Sequence, residues 1–207
     1  MEVPSGLTWS LRKIWSGRED LVATGCAQYV FNGKYSIKNM YKCLKGESQK
    51  VEWKRLICNN SASPKSVFVL WLAIQNRLPT RDRLLSWHMD IDGTFTLCNQ
   101  VDESVDHLFF NCDYASAVWD AVIQKVGHGE TRPPFTEEIT RAAKKSRKGK
   151  TKNKVFSLAF TETVYQIWLQ RNQRIFTSKA DPATTVVNRI LFIAACRCTD
   201  EMSEQLL

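Results

Sequence analysis

Three residues in the middle of this chain have the types and the spacing of metal ligands. Cys98, His107 and Cys112 are separated by eight and then four residues, with Leu108-Phe109-Phe110 between the last two. Thiolate and imidazole are borderline-soft ligands that together suit zinc, and four of them close a tetrahedral shell. A Cys-x-x-Cys knuckle would place the fourth ligand two or three residues before Cys98, where the chain has Phe95, a side chain that ligates nothing. His88, ten residues upstream of Cys98, is the leading substitute, with Asp92 or a water next. No catalytic residue is assigned, because no recognised motif places a carboxylate as a general base.

A second group of residues suits a polyanion. Eight basic residues, Arg141, Lys144, Lys145, Arg147, Lys148, Lys150, Lys152 and Lys154, follow one another with no acid between them. They account for the net charge of +8, since the rest of the chain carries as many bases as its 21 acids. Such a run suits nucleic-acid phosphates, nuclear targeting or a solvated linker. It contains no aromatic side chain to stack on bases, so any binding through it is expected to be weak and independent of sequence. Arg77, Arg81 and Arg83 flank the Leu78-Pro79-Thr80 turn and extend the candidate phosphate face.

The elements that position these residues read as mostly helical. The expected fold class is mainly α: a helical domain with one β-hairpin and a small zinc-knuckle-like insert, followed by a C-terminal helical pair. Asn32-Gly33 between Tyr29 and Tyr35 marks the hairpin, because both residues accept the left-handed angles of a type I′ turn. Helices are expected from Ser36 to Gly46, around Val51–Ile57, from Pro64 to Pro79 with Val67, Phe68, Trp71, Ile74 and Leu78 as the apolar stripe, and after Thr80 with Leu84, Leu85 and Trp87. His107 to Cys112 reads as a helical turn leading into a helix that starts at Asp113. A start near Thr136, a long helix over about Val155–Phe176 and a last helix after Asp181-Pro182 complete the pattern. The implied domains are an irregular arm over 1–26, a knuckle domain over 27–127, a loop, short helix and basic linker over 128–154, and a helical region over 155–207.

Seven scattered cysteines do not form a disulfide framework, and reduced thiols in an intracellular protein are expected. The chain has no apolar run of the roughly 18 residues that a membrane span requires, so no membrane partner is expected.

Several ordered segments resemble one family. They are Asn32-Gly33-Lys34-Tyr35-Ser36-Ile37-Lys38, Trp53-Lys54-Arg55-Leu56-Ile57, Pro64-Lys65-Ser66-Val67-Phe68 running to Trp71, and Asn76 to Leu84. Leu97-Cys98, Glu103-Ser104, His107 to Cys112 and Val118-Trp119 follow in order. The chain resembles the reverse transcriptase zinc-binding domain of plant non-LTR retrotransposons and standalone fragments derived from them. Ile167 to Phe176 resembles the helical segment that usually follows that domain. The resemblance implies zinc as cofactor, held by Cys98, His107 and Cys112, with the first ligand's place taken by Phe95. It also implies an accessory, noncatalytic role beside an ancestral polymerase domain, with nucleic acid as partner. The rival reading is a metal-free structural or interaction module, or a retroelement remnant without selected activity.

Overall fold

The computed structural model describes residues 6–25, 37–47, 49–126, 134–146 and 151–198. The chain divides into two compact units, Met1–Lys50 and Val51–Leu207.

In the first unit, α1 (Trp9–Ala23) starts where the Thr8 hydroxyl accepts from the Leu11 N–H, so a segment expected to be irregular is a capped helix. Helix α2 (Ile37–Lys45) ends at Gly46, whose φ of 66° is the left-handed stop that glycine adopts freely. Its Tyr41 and Leu44 are exposed.

The second unit contains α3 (Lys54–Cys58), α4 (Pro64–Ile74), α5 (Arg81–Ser86), a π-helical turn (His107–Asn111), α6 (Asp113–Lys125), α7 (Phe135–Ser146), α8 (Thr151–Thr177) and α9 (Ala183–Cys196). The expected hairpin is corrected: among the described residues there is no β-strand, only an isolated antiparallel bridge between Thr94 and Asp102. Residues 29–35 themselves lie outside the described residues.

Helix α8 organises this unit. It packs against α4, α6, α7, α9 and the π-helical turn. Buried side chains recur on all its faces from Val155 to Arg171, which is why its sequence lacks a clean amphipathic stripe. Its polar residues are buried with their hydroxyls satisfied. Ser157, Thr161 and Thr163 donate to the carbonyls of Asn153, Ser157 and Ala159, one turn back, at 2.7–2.9 Å. Glu162 accepts from the Ser63 N–H and the Ser66 hydroxyl, and so anchors the N-terminus of α4, whose own cap is Ser63.

Around α8 lies an aromatic core. Phe110 meets Trp119, Phe135 and Phe160 at centroid distances of 5.5–6.0 Å, and Trp119 sits edge-on to Phe156 and Phe160. Offset and edge-to-face pairs of this kind each contribute about 0.5–1.5 kcal/mol beyond the area they bury. Of the apolar stripe read for this helix, Leu78 is buried and Val67 and Ile74 pack half-buried on the core, whereas Phe68 is 56 % exposed and stacks on Trp71. The buried apolar side chains of α4 are Leu70 and Ala73, which lie outside that stripe.

Free cysteines among the described residues are Cys58, Cys98, Cys112, Cys196 and Cys198. Cys43 is disulfide-bonded, against the expectation of reduced thiols throughout.

Candidate metal centre

The knuckle loop is built by backbone. Phe95 N–H donates to the Val101 carbonyl at 2.8 Å, Glu103 N–H to Gly93 at 2.9 Å, and Asn99 N–H to Phe95 at 2.8 Å. Asn99 turns the tip with a φ of 54°, an angle asparagine tolerates. Gly93 sits close-packed, since a Cβ there would lie 3.1 Å from Leu85 Cδ1 and 3.3 Å from the Asp102 carboxylate. Arg81 clamps the loop from outside, donating to the carbonyls of Asp92 and Thr94 and to the Asp92 carboxylate.

Cys98 at the end of this loop faces His107 and Cys112. The Cys98 Sγ and His107 Nε2 are 3.3 Å apart, and the ligand atoms of all three residues lie within 4.8 Å of one another. The π-helical turn makes this possible. At about 100° per residue, an α-helix would carry residues five apart to nearly opposite sides. Here the Cys112 N–H bonds to the His107 carbonyl at 3.0 Å, five residues back, and both side chains reach the same point. Single π turns inside helices frequently mark functional sites.

The donor set fits zinc. With Zn–S near 2.3 Å and Zn–N near 2.0–2.1 Å, tetrahedral ligand atoms stand roughly 3.5–3.8 Å apart. The separations here require adjustments of about 1 Å or less to meet that spacing. Burial holds the His107 ring toward its neutral, ligating form against the opposing pull of Asp113. Burial also pushes the Cys112 thiol up, with Cys98 adding to the effect and the Ala115 and Tyr114 N–H groups countering it.

Phe95 is fully buried, and its ring lies edge-on to His107 at 5.3 Å. The substitute ligands from the sequence are not in the cluster. His88 is exposed at the end of α5, with a φ of 62°, and Asp92 is engaged by Arg81 and Thr94.

The basic residues separate into two kinds. Arg141 is held by the buried Glu138 at 2.8 Å and lies over the Phe156 ring, and Lys145 sits 4.1 Å from the centroid of the same ring. Arg83 donates to the Asn76 carbonyl and stacks on Trp87. These side chains, with Arg81, are built into the fold. Lys144, Lys152, Lys154 and Arg77 are exposed. Arg147, Lys148 and Lys150 lie outside the described residues.

One pair that sequence reasoning missed ties the knuckle to α8. Arg171 makes 2.8 and 2.9 Å contacts with one oxygen of the fully buried Glu103, donates to the Pro79 carbonyl and covers Trp168. The two residues are 68 positions apart, and neither has a local signal that names the other.

The second unit thus carries, on a loop and a tight helical turn, a Cys/His cluster able to hold a metal ion. Residues 35–119 match the family described as zinc-binding in reverse transcriptase, and over that stretch the chain carries a reverse transcriptase zinc-binding domain. No curated protein and no solved structure matches the chain. Among the described residues no helix is long and apolar enough to cross a membrane.

Proposed function

We propose that this chain is a noncatalytic accessory domain derived from a retroelement of the plant non-LTR type. In this reading Cys98, His107 and Cys112 hold zinc, and exposed basic residues contact nucleic-acid phosphates. The observation that carries it is the convergence of those three side chains inside the stretch that matches the family. When bound, zinc supplies a cross-link between the knuckle loop and the start of α6, with solvent or a small ligand completing the shell. The match covers an accessory domain and no polymerase.

Lys144, Lys152, Lys154 and Arg77 are the described side chains exposed for phosphate contact, with Arg147, Lys148 and Lys150 continuing the basic run. Contact of this kind is independent of base sequence and steeply salt-dependent. It fits an intracellular, nuclear setting beside a polymerase partner.

Native mass spectrometry tests the metal half: the wild type is expected to carry one zinc and Cys112→Ala none. Filter binding tests the other half. The double variant Lys144→Ala/Lys152→Ala is expected to weaken binding of single-stranded RNA and to reduce the salt slope by about two. Zinc-free wild type, or an unchanged slope, would reject the respective half.

A second reading has its own support. Phe95 fills the first ligand's place with buried carbon and packs on His107, as a metal-free structural knuckle would require. A wild type that folds unchanged in chelator and takes up no zinc selects it.

A further inference from the structure

The knuckle brings two thiols together as well as three ligand atoms. Cys98 lies at the end of the loop that Asn99 turns, Cys112 follows the π-helical turn, and both sulfurs are free. They stand within 4.8 Å of each other. A disulfide needs about 2.05 Å, so the gap to close is under about 3 Å, within the reach of side-chain rotation at Cys98. Phe95, fully buried against His107, keeps the loop packed without an ion and offers no third sulfur to compete. The two thiols differ in access. Cys98 is half-buried and open to a small oxidant, whereas Cys112 is 1 % exposed.

We propose that Cys98 and Cys112 are a redox-active pair, Cys98 the sulfur that a peroxide oxidises and Cys112 the sulfur that resolves it. The Cys98 sulfur attacks one peroxide oxygen, the O–O bond breaks, and the departing hydroxide takes the thiol proton as water. Cys98 is left as a sulfenic acid. The Cys112 sulfur then attacks the Cys98 sulfur, the S–O bond breaks, and hydroxide leaves with the Cys112 proton as a second water. The protein is oxidised by two electrons to one disulfide, and hydrogen peroxide is reduced to two waters. The pair works without zinc, so it goes beyond the metal reading and does not rest on it.

The full chain, stripped of metal by chelator, is treated with hydrogen peroxide and its remaining thiols are blocked with iodoacetamide. Digestion with Glu-C, which cuts at Glu103 between the two cysteines, and mass spectrometry then map the linkage. Peptides joined through Cys98 and Cys112 are expected as the main new disulfide, reversed by dithiothreitol. The same oxidation in urea should lose that preference and spread over Cys58, Cys196 and Cys198. Brief exposure of the wild type with dimedone present should label Cys98 before Cys112, and Cys112→Ser should accumulate the label on Cys98. Absence of the joined peptides, or the same preference in urea, overturns the pairing without recourse to a variant. Dimedone appearing first on Cys112 overturns the assigned order. A wild type that takes up no zinc yet forms the linkage leaves the pair standing while the metal reading falls. One that takes up zinc but stays unlinked after chelation sinks the pair alone.

Discussion

Phe95 decides how this knuckle behaves. A fully buried phenyl ring stands where the resemblance implies a first thiolate, so the loop holds its shape by packing as well as by any metal. Phe95→Cys in zinc-free buffer is expected to lower stability by about 3 kcal/mol, because it empties a buried aromatic site. Zinc should restore most of that loss, since a fourth thiolate completes the shell. Thermal unfolding with zinc and with chelator measures both effects, and equal zinc shifts in wild type and variant would place Phe95 away from the ligand position.

Glu103 is the second residue with a sharp consequence. Burial pushes its carboxyl above the ordinary range, and Arg171 opposes the shift without cancelling it. The folded chain therefore keeps this proton at a pH where the unfolded chain has released it. Stability falls as pH rises from the unfolded glutamate value of about 4.3 through the raised folded value, then levels. Glu103→Gln should flatten that slope in urea midpoints. At neutral pH it should also cost about 3 kcal/mol, because Arg171 is left buried and unpaired. A slope unchanged in the variant would assign it to other groups.

Among the elements, the π-helical turn is the part most specific to the site. Inserting one alanine after Asn111 would put Cys112 six residues from His107, about 120° round the axis in α-helical register, and so carry the two side chains apart. The insertion is expected to abolish zinc uptake while leaving helicity by circular dichroism nearly unchanged. Retained uptake would show that the turn is not what aligns the ligands. The convergence of Cys98, His107 and Cys112 was legible in the sequence because the residue types and spacing suit a common centre. The turn itself was not, since His107 to Cys112 differs from an ordinary helical turn only in how Cys112 bonds backward.

The other misreadings have local causes. Trp9 to Ala23 forms a helix without a strong apolar period, held at its start by Thr8. The basic run read as linker is helical where described, Arg141 to Lys145 ending α7 and Lys152 and Lys154 beginning α8. Its charges hid two of the fold's own contacts, those of Arg141 and Lys145 with Phe156. The pairing of Glu103 with Arg171 and the cap that Glu162 gives α4 are long-range, and one sequence holds no trace of either.

At the scale of the molecule, the family stretch and the folding unit do not coincide. The match ends at residue 119, within α6, yet the core that Phe110 and Trp119 enter is completed by Phe135, Phe156 and Phe160. A fragment of residues 51–126 is therefore expected to show no cooperative thermal transition, whereas residues 51–198 should unfold in one. A cooperative transition in the shorter fragment would make α7–α9 an appendage.

The ring at position 95 makes the loop's packing independent of any supply of ions. Exchanging it for sulfur would leave a hole before it brought a ligand, so that change is uphill until metal arrives. Carbon in that place gives the loop a scaffold that stands with or without an ion.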